Sequence, residues 1–143
     1  MIEIVIEPVR PDAKGNLNLT AEAAELHGDQ IKTEAQGGQP NIGFWDRPDE
    51  WVSWKAKLDK PGTFRVRASV ATIHADAEFV AEAAGQKLVG KPPRTGSWAE
   101  FRDVELGQLE IKQAGDCTVS VKARDAKTWK AINLRSVSLV RAQ

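Results

Sequence analysis

Hydrophobic and polar positions alternate with period two along most of this chain. The clearest case lies within residues 41–71. Trp54, Ala56 and Leu58 fall on one face, with Lys55, Lys57 and Asp59 on the other. After Lys60-Pro61-Gly62, Phe64, Val66, Ala68 and Val70 alternate with Arg65, Arg67 and Ser69. Successive side chains on a strand point to opposite faces, so both segments predict strands with one dry and one wet face. The Pro-Gly turn between them predicts a hairpin, with Phe44-Trp45 and Trp51 at its mouth.

The rest of the chain follows the same rhythm. Ile2, Ile4 and Ile6 predict a short strand ended by Pro8 and Pro11, and residues 11–16 read as a linker. Leu17 and Leu19 open a strand that runs with a kink to Leu26, ended by Gly28. Residues 28–40 read mostly as a surface loop, with a short edge strand over residues 31–35. Further strands are predicted at Phe79–Ala83, Lys87–Val89, Phe101–Leu106 continuing through Leu109 and Ile111, Cys117–Ala123 and Ile132–Val140. About ten short strands punctuated by Gly and Pro, without an amphipathic helix, predict an all-β sandwich or jelly roll.

Composition narrows the functional classes. At 143 residues the chain fits one domain spanning 1–143, with residues 1–16 as its N-terminal strand and linker. Lys+Arg and Asp+Glu are balanced at 20 each, whereas nucleic-acid binding by counterion release needs a basic excess. No apolar run reaches the roughly twenty residues of a membrane-spanning helix. The opening MIEIVIEPV has neither a basic n-region nor a cleavage site, so no signal peptide is expected in this chain. The single cysteine, Cys117, sits in an alternating run and reads as a small buried apolar residue. His27 and His74 have no metal-ligand spacing and read as turn or surface residues.

Several segments, in one order, resemble the family 6 and family 35 carbohydrate-binding modules. Leu19-Thr20-Ala21-Glu22-Ala23-Ala24 is similar to their opening alanine/glutamate strand, and Asn41-Ile42-Gly43 to the entry of their first loop. Glu50-Trp51-Val52-Ser53-Trp54 resembles their Asp-Trp-Val-Glu-Tyr strand, and Pro61-Gly62-Thr63-Phe64 their Gly-x-Tyr turn. Thr95-Gly96-Ser97-Trp98 is similar to their Thr-Gly-Gly-Trp loop, residues 115–121 to their Gly-x-x-Thr strand, and Asn133-Leu134 to their last loop. The likeness covers about residues 17–140 and is stronger still to the modules fused to bacterial sulfatases and α-L-fucosidases. It implies a galactose-binding-like jelly roll of antiparallel strands whose edge loops bind sugar without catalysis.

The resemblance also implies a site. In such modules two aromatic rings hold a pyranose by its C–H face while an amide fixes hydroxyls. Carried over, Trp98 is one ring, Trp45 or Phe44 the other, and Asn133 the amide. Trp98 reads equally as packing or binding, and Trp45, between Gly43 and Pro48, is expected to be exposed. Trp129 is placed near the last loop and Asp46 among acids that could accept sugar hydroxyls, whereas Trp54 and Trp51 are assigned to the core and its edge. Many members hold a structural calcium. Here Glu22 alone remains, because the other positions are Thr20 and Arg135, so no cofactor is expected unless a structural calcium persists at Glu22, and Arg135 could pair with Glu22 in its place.

The function expected is a non-catalytic carbohydrate-binding module, extracellular or periplasmic, accessory to a secreted polysaccharide-active enzyme. Its partners would be an oligo- or polysaccharide and a fused glycoside hydrolase or sulfatase, with no nucleic acid or membrane. The alternative is a structural or protein-interaction sandwich that has lost sugar binding. An enzyme is the remote case: a glycosidase needs paired carboxylates across a deep cleft, and the chain has no Tyr to serve as a lyase base.

Overall fold

The computed structural model describes residues 7–142, and over these it contains strands, turns and loops but no helix. The strand predicted over residues 2–6 lies outside the described residues. Among the described residues there are eleven strands: β1 Leu17–Thr20, β2 Glu25–His27, β3 Lys32–Gln36, β4 Gln39–Gly43, β5 Trp51–Leu58, β6 Gly62–Ala71, β7 Phe79–Ala83, β8 Gln86–Gly90, β9 Arg102–Ile111, β10 Gly115–Ala123 and β11 Asn133–Arg141. They form a five-stranded sheet, β2-β5-β10-β7-β8, and a six-stranded sheet, β3-β4-β11-β6-β9, in which β1 also pairs β11. The named strands pair antiparallel, with one isolated parallel bridge from Val9 to Ala56, and the dry faces of the two sheets meet in a β-sandwich of jelly-roll type.

The predicted hairpin is corrected. β5 pairs with β2 and β10, while β6 pairs with β11 and β9 in the other sheet. Residues 59–61 therefore carry the chain across the sandwich, and the dry faces of β5 and β6 look at each other instead of sharing a ladder. A hairpin and a sheet-to-sheet crossing present the same period-two pattern. Trp54, Phe64, Val66 and Phe79 are fully buried between the sheets. The Trp54 indole N–H donates to the Thr20 carbonyl at 2.7 Å, which satisfies its one polar atom. Thr20 ends β1, and the following turn carries the chain from the six-stranded sheet to β2 in the five-stranded one, so the expected kink is a change of sheet.

Two shifts of phase have a common cause. Along β9 the buried positions are Val104 and Leu106, then Leu109 and Ile111. Opposite β6, Val66 pairs Gly107 but Arg67 pairs Glu105, so Leu106 is an extra residue in the ladder. This is a β-bulge, and Gly107 takes the φ of +131° that it needs. Along β11 the burial switches from Leu134 to Val137 and Leu139, with the ladder shifted between Leu134 and Ser136. Arg135 is the bulged residue.

The edge strand expected over residues 31–35 is β3, and beyond it the segment expected as surface loop turns at Gly37 and Gly38, with φ +64° and +80°, into β4 to make a β3–β4 hairpin. It reaches the sheet through Ile42, which pairs Leu134 of β11. That contact brings an otherwise polar edge hairpin beside the loops at one end of the sandwich.

Candidate functional site

Four segments converge at this end: the β3–β4 hairpin, the turn after β4, the loop between β8 and β9, and the loop leading into β11. They enclose a hollow of about 250 Å³ lined by Glu34, Gln36, Phe44, Trp45, Asp46, Trp98, Ala131, Ile132 and Asn133. Five of the six sequence-predicted site residues line it; Trp129 does not.

Phe44 and Trp45 divide the two roles that one ring was expected to fill. Phe44 has φ +54°, a conformation that costs a non-glycine residue about 1 kcal/mol, and its ring is 53% exposed. The same reversal turns Trp45 inward. The expectation that Trp45 is exposed is therefore corrected: it is fully buried, and its indole N–H donates to the Glu50 carbonyl at 2.8 Å. Glu50 is itself buried, and its carboxylate caps the preceding segment by accepting from the Gln30 and Ile31 amides at 3.0 and 3.2 Å. Trp45 thus forms the floor of the hollow and Phe44 a wall.

Trp129 sits behind that floor. Its ring meets Trp45 at 5.1 Å with a 45° tilt, and its N–H donates to the Trp45 carbonyl at 3.0 Å. It buttresses the hollow without reaching it.

Trp98, half-buried, also lines the hollow, and its ring meets His74 in a T-shaped arrangement with centroids 6.1 Å apart. Asn133, 4% exposed, donates its side-chain amide to the Trp98 carbonyl at 2.9 Å. The loop is anchored further by Thr95, whose hydroxyl accepts from the Thr72 amide at 3.0 Å. Asp46 stands at the rim, accepting from Gln30 at 3.1 Å.

Sequence reasoning missed Glu34 and Gln36. Ile42 packs into the core, so its neighbour Asn41 projects from the other face of β4, beside its ladder partner Glu34. Glu34 Oε1 accepts from Asn41 Nδ2 at 3.2 Å and from Gln36 Nε2 at 3.4 Å. A Cβ on Gly43 would stand 2.5 Å from Glu34 Oε1, so this glycine leaves the room in which the carboxylate lies. With Oε1 occupied by two amides, Oε2 is the oxygen left to accept from a ligand hydroxyl.

The calcium set does not fit. Glu22 and Thr20 line a separate depression together with Arg135. One carboxylate beside a guanidinium does not meet the several hard oxygen ligands calcium requires. The expected Arg135–Glu22 pair is also corrected: bulged Arg135 stacks on Phe101 at 3.9 Å and donates to the Gln36 carbonyl at 3.4 Å. A flat guanidinium finds in Phe101 a surface that Glu22, exposed on the turn, does not offer.

Trp51, expected at the core edge, is instead committed to the opposite face of its strand from Val52 and Trp54. On the outer face of the five-stranded sheet it stacks on His27 at 3.8 Å, and Lys122 stands 4.9 Å from its ring centre.

The chain is thus a two-sheet jelly roll with a hollow at its loop end lined by aromatic rings and a buried amide. The profile of the carbohydrate binding module family 35 matches residues 14–134, and the chain belongs to that family. Modules of this kind bind carbohydrate and are not catalytic. A comparison with curated proteins finds no match. Among solved structures, the Podospora anserina GH26-CBM35 β-(1,4)-mannanase is similar with TM-score 0.74 and 18% identity. The match covers 91% of this chain but 28% of the mannanase chain. A β-1,3-glucan-binding family 6 module from Bacillus halodurans is similar with TM-score 0.71 and 21% identity over 94% of this chain and 99% of that one. A family 35 module from Clostridium thermocellum gives 0.71 and 12%, over 89% and 98%. At these identities the likeness shows the fold.

Proposed function

We propose that this family 35 module takes a sugar ring of an oligo- or polysaccharide into the loop-end hollow, between Phe44 and Trp98. The observation that carries the reading is Phe44: a strained backbone holds an apolar ring in solvent at a hollow that a second aromatic, Trp98, and the buried Asn133 amide also line. In this reading the rings cover the C–H faces of a pyranose, Asn133 and Gln36 meet its hydroxyls, and Glu34 and Asp46 accept hydroxyl hydrogens. A hollow of about 250 Å³ suits one ring with its neighbours outside. Small contact area gives weak affinity, so the module would act by keeping a polysaccharide-active enzyme, fused or associated, near its substrate outside the cell.

The test is titration of the protein with soluble mannan, xylan, galactan and β-1,3-glucan, repeated on Phe44→Gly and Trp98→Ala. At least one glycan is expected to bind wild type and to bind both variants at least tenfold more weakly. Unaltered binding in both variants would refute the assignment of the site.

A further inference from the structure

Phe44 borders a second depression on its other side, and the two hollows differ in charge. The first carries Glu34 and Asp46 and no cation. The second is lined by Asp29, Gln30, Lys32, Phe44 and Arg47, so its two cations face one carboxylate. Neither Lys32 nor Arg47 is in an ion pair among the described residues.

The edge strand β3 sets the spacing. Gln36, Glu34 and Lys32 alternate onto one face, opposite Gln39, Asn41 and Gly43. Positions two apart on a strand stand about 7 Å from each other, a step on the scale of one sugar unit. Gln36 and Glu34 line the first hollow, and Lys32 the second.

We infer that the site has two adjoining subsites divided by Phe44, the second of which receives an anionic substituent on the sugar next to the ring held in the first. This rests on the reading of the first hollow as a sugar site. The ring in the first subsite is uncharged, because a carboxylate or sulfate there would meet Glu34 and Asp46 without a cation in the lining. The neighbouring ring brings its anion to Lys32 and Arg47. Both are solvent-exposed. Their attraction is therefore modest, screened by salt, and felt more in selectivity than in total affinity.

Calorimetric titration at low ionic strength tests this with three probes on matched backbones: neutral xylo- and galacto-oligosaccharides, glucuronate-bearing xylo-oligosaccharides, and sulfated galacto-oligosaccharides. Wild type is expected to bind at least one anionic probe about fivefold more tightly than its neutral counterpart, an advantage lost at about 1 M salt. The uronate and sulfate arms show which anion fits. In the Lys32→Ala/Arg47→Ala variant the anionic advantage disappears while neutral binding stays within about twofold, and Lys55→Ala, far along β5, changes neither. Equal or weaker binding of every anionic probe overturns the second subsite and leaves the first standing if neutral probes bind. Absence of binding by all probes overturns both.

Discussion

Trp129 donates its indole N–H to the backbone carbonyl of Trp45, 84 residues earlier, while the two rings pack 5.1 Å apart. One side chain thereby ties the loop entering β11 to the turn after β4, and so fixes the distance between Asn133 and Phe44. Trp129→Ala should destabilise the protein by about 2 kcal/mol in urea titration, since a half-buried indole and one hydrogen bond are lost. Glycan affinity should fall although Trp129 touches no ligand. Unchanged affinity in the folded variant would show that the two loops are held independently.

Phe44 and Trp45 separate binding from folding. Trp45→Ala empties a fully buried position and should cost about 3–5 kcal/mol. Phe44→Gly relieves a φ of +54° and removes an exposed ring, so stability should hold or rise by up to about 1 kcal/mol while glycan binding is lost. A stability loss in Phe44→Gly matching that of Trp45→Ala would contradict this division.

Gly43→Ala probes the carboxylate at the site. The new Cβ would press on Glu34, whose side chain can swing away, so the fold should lose about 1 kcal/mol or less while Glu34 leaves its amide partners. Affinity for neutral glycan should fall by about tenfold, the scale of one charge-assisted hydrogen bond. Glu34→Gln should fall by a similar factor with no change of shape, and full affinity in this variant would show that lost room, not lost charge, weakens Gly43→Ala.

On the outer face of the six-stranded sheet, Arg67 hydrogen-bonds Glu105, and with help from Arg65 at 3.1 Å it holds this carboxyl below its ordinary range against the opposing effect of desolvation. A depressed pKa in the folded state stabilises above the unfolded-state value, about 4.3, and that stabilisation is lost as pH falls through the folded value. Arg67→Ala should therefore narrow the stability difference between pH 7 and pH 3, measured as urea midpoints. An unchanged difference would show that the pair is silent in solution.

Much of the architecture is legible from the residues. Strict alternation at residues 54–58 and 64–70 marks the dry faces, and the family likeness at Thr95–Trp98 and Asn133 points to the loops that meet. What alternation does not encode is the partner of a strand, which is why β5 and β6 read as a hairpin although they lie in opposite sheets. Trp45 was misplaced because a loop between Gly43 and Pro48 looks exposed, whereas a buried acceptor, the Glu50 carbonyl, draws its N–H inward. Glu34 and Gln36 were missed because the edge strand expected over residues 31–35 carries no mark of the partner strand or of the loops it lies beside. The pairing of Ile42 with Leu134 and the Arg135 hydrogen bond to the Gln36 carbonyl bring them to the site.

The most direct test of sugar binding between Phe44 and Trp98 is a nuclear magnetic resonance titration of isotope-labelled protein with the glycan found to bind. The Trp98 indole N–H, the Asn133 side-chain amide and the Phe44 ring are predicted to shift together along one saturating curve, while the Trp51 indole on the sheet face stays still. Saturable shifts at Trp51 with Trp98, Asn133 and Phe44 unmoved would contradict the account.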